Sequence, residues 1–408
     1  MSRKVLLRLL PLFILYLAVF FALAKKSIDY GDESRYSTYA ENLTKGFYAS
    51  PETRELSSGP GYPLILTPFA FFNIPWYWAK MLNPVFMFLA VCFVYAALRY
   101  YMSEKSALFF SYVFGLYPPF YAELWYLLSE PFSLMLAGLF VLLTIKWYAG
   151  GKYRHMLLAA VVCALVALTK VFFAYAATVV LLLSLVLFKF SKTSRKTLPV
   201  YAIALLLCVP YLIYTYSFTG NFFCWSTGGG RALYWNYTLH PEEFGSWWAP
   251  KDVEARPELA HYRPFVKEFM ELDFVERDKF LKKKAIENII SNPRKAFLNY
   301  ICNWGRLFLN FPFAYKYQHP RQLLYLVPNS LLLSAILFSI CPLIKLRRSL
   351  PQEIIHACTV CVIYIAGHSL VLASARYLCV IIPLIFIIIT YCATNLVQLK
   401  GRPNEQQL

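Results

Sequence analysis

Apolar stretches recur along this chain at about the length that crosses a bilayer, and the polar residues gather between them. Roughly 20 apolar residues in helical form span the ~30 Å hydrocarbon layer. On that scale, spans are predicted at 5–24, 76–100, 106–117, 131–147, two within 156–188, then 198–218, 323–344, 353–373 and 377–396. The stretch 156–188 is too long for one crossing, and its single charge, Lys170, marks the outer turn that divides it. Helix is expected in every span, because only a helix satisfies its backbone polar groups within one segment in lipid. The pattern therefore predicts an all-α polytopic membrane protein.

The segment 294–313 decides between ten spans and eleven. Its polar residues Asn299, Asn303, Arg306 and Asn310 recur at steps of four, three and four, which places them on one helical face. Such a helix suits the membrane interface or a cavity wall better than surrounding lipid. If it does not cross, the basic turn Lys345, Arg347 and Arg348 falls on the same side as Lys189, Lys192, Arg195 and Lys196. The positive-inside rule asks for that arrangement. Ten spans are expected, with eleven as the alternative. The chain divides into an N-terminal transmembrane module (1–218) with an acidic first external loop (25–75), an external region (219–321), and last spans with a short cytoplasmic tail (322–408). Within the external region a soluble helix is predicted over 273–291, with Asp273 as N-cap, Glu276 three residues on, and Asn292-Pro293 as the stop.

Composition agrees: 59% of residues are hydrophobic and 15% charged, against about 25% charged in soluble domains. The net charge of +18 does not point to nucleic acid, since much of the excess sits in short loops between apolar segments. Most of the ten cysteines lie in apolar segments, where they act as small hydrophobes. Cys358 and Cys361 form a CxxC inside a span without zinc-site partners; Cys224 and Cys302 share the external region, and their pairing is left open. Arg3, Lys4 and Arg8 before an apolar run ending Ala22-Leu23-Ala24 imitate a signal peptide. An uncleaved anchor is expected, because the acidic loop that follows needs holding at the membrane.

This topology brings the chain's unusual polar residues to one side: the first loop, the Glu130 loop (which also contains Glu123), Lys170, the external region and Arg376. Charge at membrane depth is costly and marks function. Asp32 suits a helix N-cap, with Tyr36, Ala40 and Leu43 following at helical spacing. It equally suits a general base held above the membrane, since an acceptor hydroxyl must lose its proton as it attacks a sugar. Ser58-Gly59-Pro60-Gly61-Tyr62-Pro63 reads as a turn into a re-entering helix. Lys80, Lys170, Arg231 and Arg376 form a cationic set that would stabilise a departing lipid phosphate, although each alone also suits a snorkelling side chain. Gly228-Gly229-Gly230 permits close backbone approach, and lacks the Lys-Ser/Thr of a phosphate-binding P-loop. Tyr234, Trp235, Tyr237, Trp247 and Trp248 suit an interface belt or sugar stacking.

Taken in order, these pieces resemble the membrane-embedded GT-C-type glycosyltransferases, most closely the bacterial branch of the protein O-mannosyltransferase and aminoarabinose transferase family. The matching pieces are Asp32-Glu33-x-x-Tyr36-x-x-x-Ala40, Pro60-Gly61-Tyr62-Pro63, Ser129-Glu130, Leu168-Thr169-Lys170, the stretch from Thr219-Gly220-Asn221 to Gly228-Gly229-Gly230, and Arg376-Tyr377. The resemblance implies a polyprenyl-phosphate-sugar donor, inverting single displacement, and a protein, lipid or glycan acceptor. It places the active site on the external face of a bacterial inner membrane. By carry-over, Asp32 and Glu33 are the catalytic pair, with Asp32 as base. Lys170, Arg231, Arg376 and Lys80 hold the donor phosphate. Asp29, Tyr36, Tyr62, Glu130, Gly229, His368 and Tyr377 line the substrate pocket. Some relatives bind a divalent cation in the acidic loops, where Asp29, Asp32 and Glu33 are the candidates; no firm metal site is readable. Two departures stand out: relatives often carry Arg-Pro where this chain has Lys170-Val171, and the chain resembles the shorter bacterial members. The alternatives are a lipid-linked-sugar flippase, which would show internal repeats, and a polysaccharide polymerase or ligase, whose key residues would gather in the large loop.

Overall fold

Residues 2–28, 31–315 and 322–400, with side chains through 395, are described by a computed structural model, and every regular element among them is a helix. The first span is α1 (Arg3–Leu23). The loop expected to be external, 25–75, folds into α2 (Gly31–Thr44) and the short apolar α3 (Gly61–Phe71). Then come α4 (Trp76–Lys80) with α5 (Leu82–Leu98), α6 (Glu104–Gly115), a 3-10 turn at Pro118–Glu123, and α7 (Glu130–Gly150). Next are α8 (Tyr153–Thr169), α9 (Val171–Val186), and the pair α10 (Lys192–Leu207) and α11 (Val209–Thr219). The external region supplies α12 (Gly229–Asn236), α13 (Pro250–Ala255), α14 (Arg263–Met270), α15 (Phe274–Ser291) and α16 (Pro293–Leu309). The last spans are α17 (Leu323–Lys345), α18 (Gln352–Val371) and α19 (Ile382–Lys400), with a 3-10 turn at Ala375–Val380 before α19.

Every predicted span is helical. Five helices, the α4–α5 unit counted as one, are long and apolar enough to cross a membrane, and α10 with α11 makes a sixth bent by 48°. α8, α9 and the described part of α19 are apolar but shorter. The boundaries follow local chemistry. Pro131 in the first turn of α7 forfeits no helical hydrogen bond. Gly151 closes α7 in the left-handed conformation at φ 61°. The bend between α10 and α11 falls at Cys208, just before Pro210. Helix α7 is the hub, with 78% of its apolar window buried; α17, with 11%, stands at the rim.

The external region holds more helix than the one predicted. That one, α15, is capped as expected, Asp273 accepting from the amides of Val275 (2.8 Å) and Glu276 (3.0 Å). Helix α16 is not among the helices long and apolar enough to cross. It turns its polar face to the protein: Asn299, Asn303 and Arg306 are buried, while Phe297, Leu298 and Ile301 point outward. Asn299 donates to the Asn236 carbonyl at 2.9 Å, and Asn303 donates to the Ser369 carbonyl at 2.7 Å, tying the external region to α18. Cys224 and Cys302 are both free.

The two ends of the helix bundle differ. One is closed by simple contacts: Arg8 to Glu104 at 2.7 Å, Tyr101 to Glu353 at 3.0 Å, and Trp147 Nε1 to the Lys196 carbonyl at 2.9 Å. The other end collects the polar groups described next.

Candidate active site

Four connections meet at that second end: the start of α2, the entry to α7, the break between α8 and α9, and the turn that follows α18. Asp32 lies in the first turn of α2, which begins at Gly31, so it does not act as the expected N-cap. Its carboxylate is taken by side chains instead. Oδ2 lies 2.8 Å from Arg376 Nη2, and Oδ1 accepts from Arg35 Nη2. Burial pushes this carboxyl up, but Arg376, Arg35 and Lys170 outweigh it, and its pKa ends below the ordinary value. Asp32 is therefore ionised at neutral pH. One turn on, the Tyr36 hydroxyl is 2.9 Å from Ser129 Oγ, which pins α2 to the start of α7.

Glu130 opens α7. Its Oε1 accepts from Lys170 Nζ at 2.8 Å and lies 3.8 Å from Arg376 Nε, so the Arg376 guanidinium bridges Asp32 and Glu130. Glu130 Oε2 and the Tyr62 hydroxyl are buried and take no hydrogen bond among the described residues. Buried polar atoms nearly always have partners. Two without one beside a charged cluster mark a place that a hydroxyl-bearing ligand can complete.

The glycines of the Ser58–Pro63 stretch position Lys170. A Cβ on Gly59 would collide with the Leu168 carbonyl, and one on Gly61 with the Thr169 hydroxyl. Only bare backbone lets this loop press onto the end of α8. Arg376 is positioned from the other side. The His368 ring stacks 4.8 Å from Tyr377 and packs 4.1 Å from Phe172, and its Nδ1 is bonded to the Leu372 carbonyl. The Tyr364 hydroxyl donates to the Tyr377 carbonyl at 3.0 Å. His368 and Tyr377 thus support the turn that presents Arg376.

A cavity opens beside the cluster, lined by Met87, Phe120, Glu123, Glu130, Arg376 and Cys379 among others. Glu123 ends the 3-10 turn before α7 and accepts from the Tyr325 hydroxyl at 3.2 Å.

Other predicted site residues lie elsewhere. Glu33 and Lys80 pair with each other at 2.8 Å, with 1% and 2% of their side chains exposed. Glu33 also accepts from the Leu127 amide at 2.7 Å, and Lys80 donates to the carbonyls of Ser27 (2.8 Å) and Lys25 (3.3 Å). Their charges are spent on joining α2, α4 and the loop before α7. Arg231 lies in the external region with its guanidinium 4.3 Å from the Trp247 ring; burial, with Arg35 nearby, brings its pKa down to about 10. Gly229 opens α12, but the tight position is Gly230, whose amide donates to Asp278 Oδ1 at 2.5 Å and whose Cβ would strike the Asp278 carbonyl. The glycine run thus seats α12 on α15. Asp29 lies outside the described residues.

Asp32 and Glu33 do not fit a shared divalent cation: one carboxylate is engaged by Arg376 and Arg35, the other by Lys80 and a backbone amide. Two site residues escaped the sequence reading. Arg35 could have been found from its i,i+3 spacing to Asp32, had Asp32 been set inside the helix. Glu123 was seen only as a loop residue, and nothing in the sequence signals that it lines the cavity.

No protein-family model matches the sequence, and no curated protein sequence does. Solved structures share the fold. The Archaeoglobus fulgidus oligosaccharyltransferase, tethered with an acceptor peptide containing the NVT sequon, aligns with a TM-score of 0.52 at 14% identity, over 98% of this chain and 50% of that one. The archaeal oligosaccharyltransferase AglB from Archaeoglobus fulgidus, in complex with an inhibitory peptide and a dolichol-phosphate, gives 0.50 at 14% identity, over 99% and 52%. ArnT from Cupriavidus metallidurans bound to undecaprenyl phosphate gives 0.45 at 10% identity, over 95% and 78%. The chain spans about half the length of the oligosaccharyltransferase structures it matches. The fold is the all-helical GT-C type of polytopic membrane proteins.

Proposed function

We propose that this protein is a membrane glycosyltransferase that takes a sugar from a polyprenyl-phosphate donor and passes it to a protein, lipid or glycan hydroxyl. The observation that carries this reading is the 2.8 Å contact between the Asp32 carboxylate and Arg376, with Lys170 joined to the same cluster through Glu130. A base and two cations meet where the helices of the bundle end. The fold shared with an oligosaccharyltransferase solved with a dolichol-phosphate supports the donor class.

In this reading the acceptor hydroxyl gives its proton to Asp32 as its oxygen attacks the anomeric carbon. The bond from that carbon to the phosphate oxygen breaks on the opposite face, and the electron pair leaves with the lipid phosphate. The sugar's configuration inverts in this one displacement. Arg376 and Lys170 meet the growing charge on the phosphate, a stabilisation preset before reaction. The lowered pKa of Asp32 keeps it ionised, so that its carboxylate carries no proton when the acceptor arrives. Glu130 Oε2 and the Tyr62 hydroxyl are the atoms we assign to sugar hydroxyls. The basic turns at Lys189–Lys196 and Lys345–Arg348 belong to the cytoplasmic side under the positive-inside rule. The cluster then faces outward from a bacterial inner membrane.

The test is mass spectrometry of cell-envelope glycans from a strain lacking the gene, complemented with wild type or Asp32→Asn. Wild type restores a sugar-sized mass increment on one envelope species; Asp32→Asn, present at equal level in the membrane, does not. Restoration by Asp32→Asn removes the base assignment.

A further inference from the structure

The cluster is balanced as it stands. Asp32, Glu130 and Glu123 supply three carboxyl groups, and Arg35, Lys170 and Arg376 three cations. A donor phosphodiester carries one negative charge. When the bond to the sugar breaks, the lipid phosphomonoester carries about two, its second pKa being near 6. Sharing a low-dielectric cavity with the carboxylates of Glu123 and Glu130 is unfavourable for such a dianion. The least costly relief is for one carboxylate to hold a proton.

Glu123 is the group placed to do so. It lines the same cavity as Glu130 and Arg376 and has no salt-bridge partner of its own among the described residues, whereas Asp32 and Glu130 each face two cations. The groups facing it are Tyr325 from α17, Glu130 from α7, Lys170 at the α8–α9 break, and Arg376 and Cys379 from the turn before α19. Burial and the charge of Glu130 push its carboxyl up to about 7, against the pull of Arg376, the Tyr325 hydrogen bond and Lys170. Asp32, in contrast, is held ionised. Two carboxyl groups whose surroundings drive them apart are the usual sign of divided acid and base roles.

Resting on the donor class above, we propose that Glu123 takes up a proton from water when the lipid phosphomonoester occupies the cavity, and that its neutral carboxyl then donates a hydrogen bond to that phosphate. The charge of the departing group is read by a carboxylic acid as well as by the cations. No covalent bond changes at Glu123; one proton is bound with the phosphate and released with it. Product release is thereby favoured at high pH.

The experiment is equilibrium binding of radiolabelled undecaprenyl phosphate to the full chain in detergent, from pH 6.5 to 9. Above about pH 7 the lipid's own second ionisation is largely complete, so the remaining dependence belongs to the protein. Wild-type affinity falls with rising pH, approaching tenfold per unit, the slope for one linked proton. Glu123→Gln, which keeps a neutral donor in the same shape, binds at pH 6.5 within about twofold of wild type and stays flat to pH 9. Tyr325→Phe removes a bond that favours the ionised form of Glu123 and moves the fall to higher pH, which gives a second readout should Glu123→Gln fold poorly. A wild-type slope retained in Glu123→Gln, or a flat wild type that binds well, overturns the role of Glu123 and leaves the donor class standing. Absence of binding at every pH removes both.

Discussion

Asp32 and Glu33 are neighbours in sequence and opposites in structure. Glu33 forms a closed pair with Lys80, satisfied further by a backbone amide on one side and two carbonyls on the other. Asp32 shares Arg376 with Glu130, retains about a fifth of its side-chain exposure, and sits in a cluster with two buried polar atoms left unbonded among the described residues. A saturated pair can hold helices together but has nothing to offer a ligand. A pair with a shared partner can exchange it. The resemblance to known transferases implies one catalytic unit for these two carboxylates; the geometry closes Glu33 into a fastening pair, and the proposed function gives the base role to Asp32 alone.

The comparison can be broken most sharply at the fastening. Glu33→Gln leaves the Lys80 ammonium buried without its counter-charge, and should cost about 3–5 kcal/mol. Thermal unfolding in detergent should show a large downward shift, which Glu33→Met combined with Lys80→Met largely restores. A small shift for Glu33→Gln would return Glu33 to the reacting site. Next in size, Arg376→Met removes the partner shared by Asp32 and Glu130 and should lower sugar transfer by about 10²–10³-fold, the range for losing one preset electrostatic donor. The abundance of the modified envelope species, followed over time after induction, measures it. Unchanged rates would place the phosphate elsewhere.

The smallest effect sharpens the contrast. Asp32→Asn, though inactive, should change stability at pH 7.5 by less than about 1 kcal/mol, as partly exposed pairs do. The sign follows from the depressed pKa. Stability contributed by Asp32 is present above its unfolded value of about 3.9 and is lost as pH falls through the lower folded value. Between pH 6 and 9 the unfolding curves of wild type and variant should therefore run parallel, converging only in acid. A divergence within the neutral range would mean that Asp32 also fastens the fold.

Parts of this picture were legible in the sequence. The lone charge in 156–188 marked the α8–α9 break, Asp273 announced α15, and the stepped polar residues of α16 gave its inward face, because periodicity and capping are local signals. Pairing is not local. Nothing in the sequence tells whether the ammonium of Lys80 reaches Glu33 or a phosphate, since either partner would stand at the same end of the span that Lys80 begins. Gly229 and Gly230 are alike in sequence, and only the approach of α15 separates them. Glu123 and Glu130 both read as outer-loop carboxylates; what separates them is that Glu130 meets Lys170 and Arg376, which depends on the α8–α9 break and the turn before α19. The helices α12, α13 and α14 are short and lack strong periodicity, so a polar region was expected where a folded layer exists.

The cluster has a further implication for biosynthesis. Its charges come from the start, the middle and the far end of the polypeptide, and Arg376 precedes only the final span. A nascent chain leaving the ribosome inserts Asp32 and Glu130 long before their common cation is translated. Until the turn before α19 is made, Asp32 has only Arg35 and Glu130 only Lys170 as cationic partner, and the charge bridge between the first loop and α7 is missing. A residue translated about 340 positions after Asp32 thus completes the link between the first loop and α7.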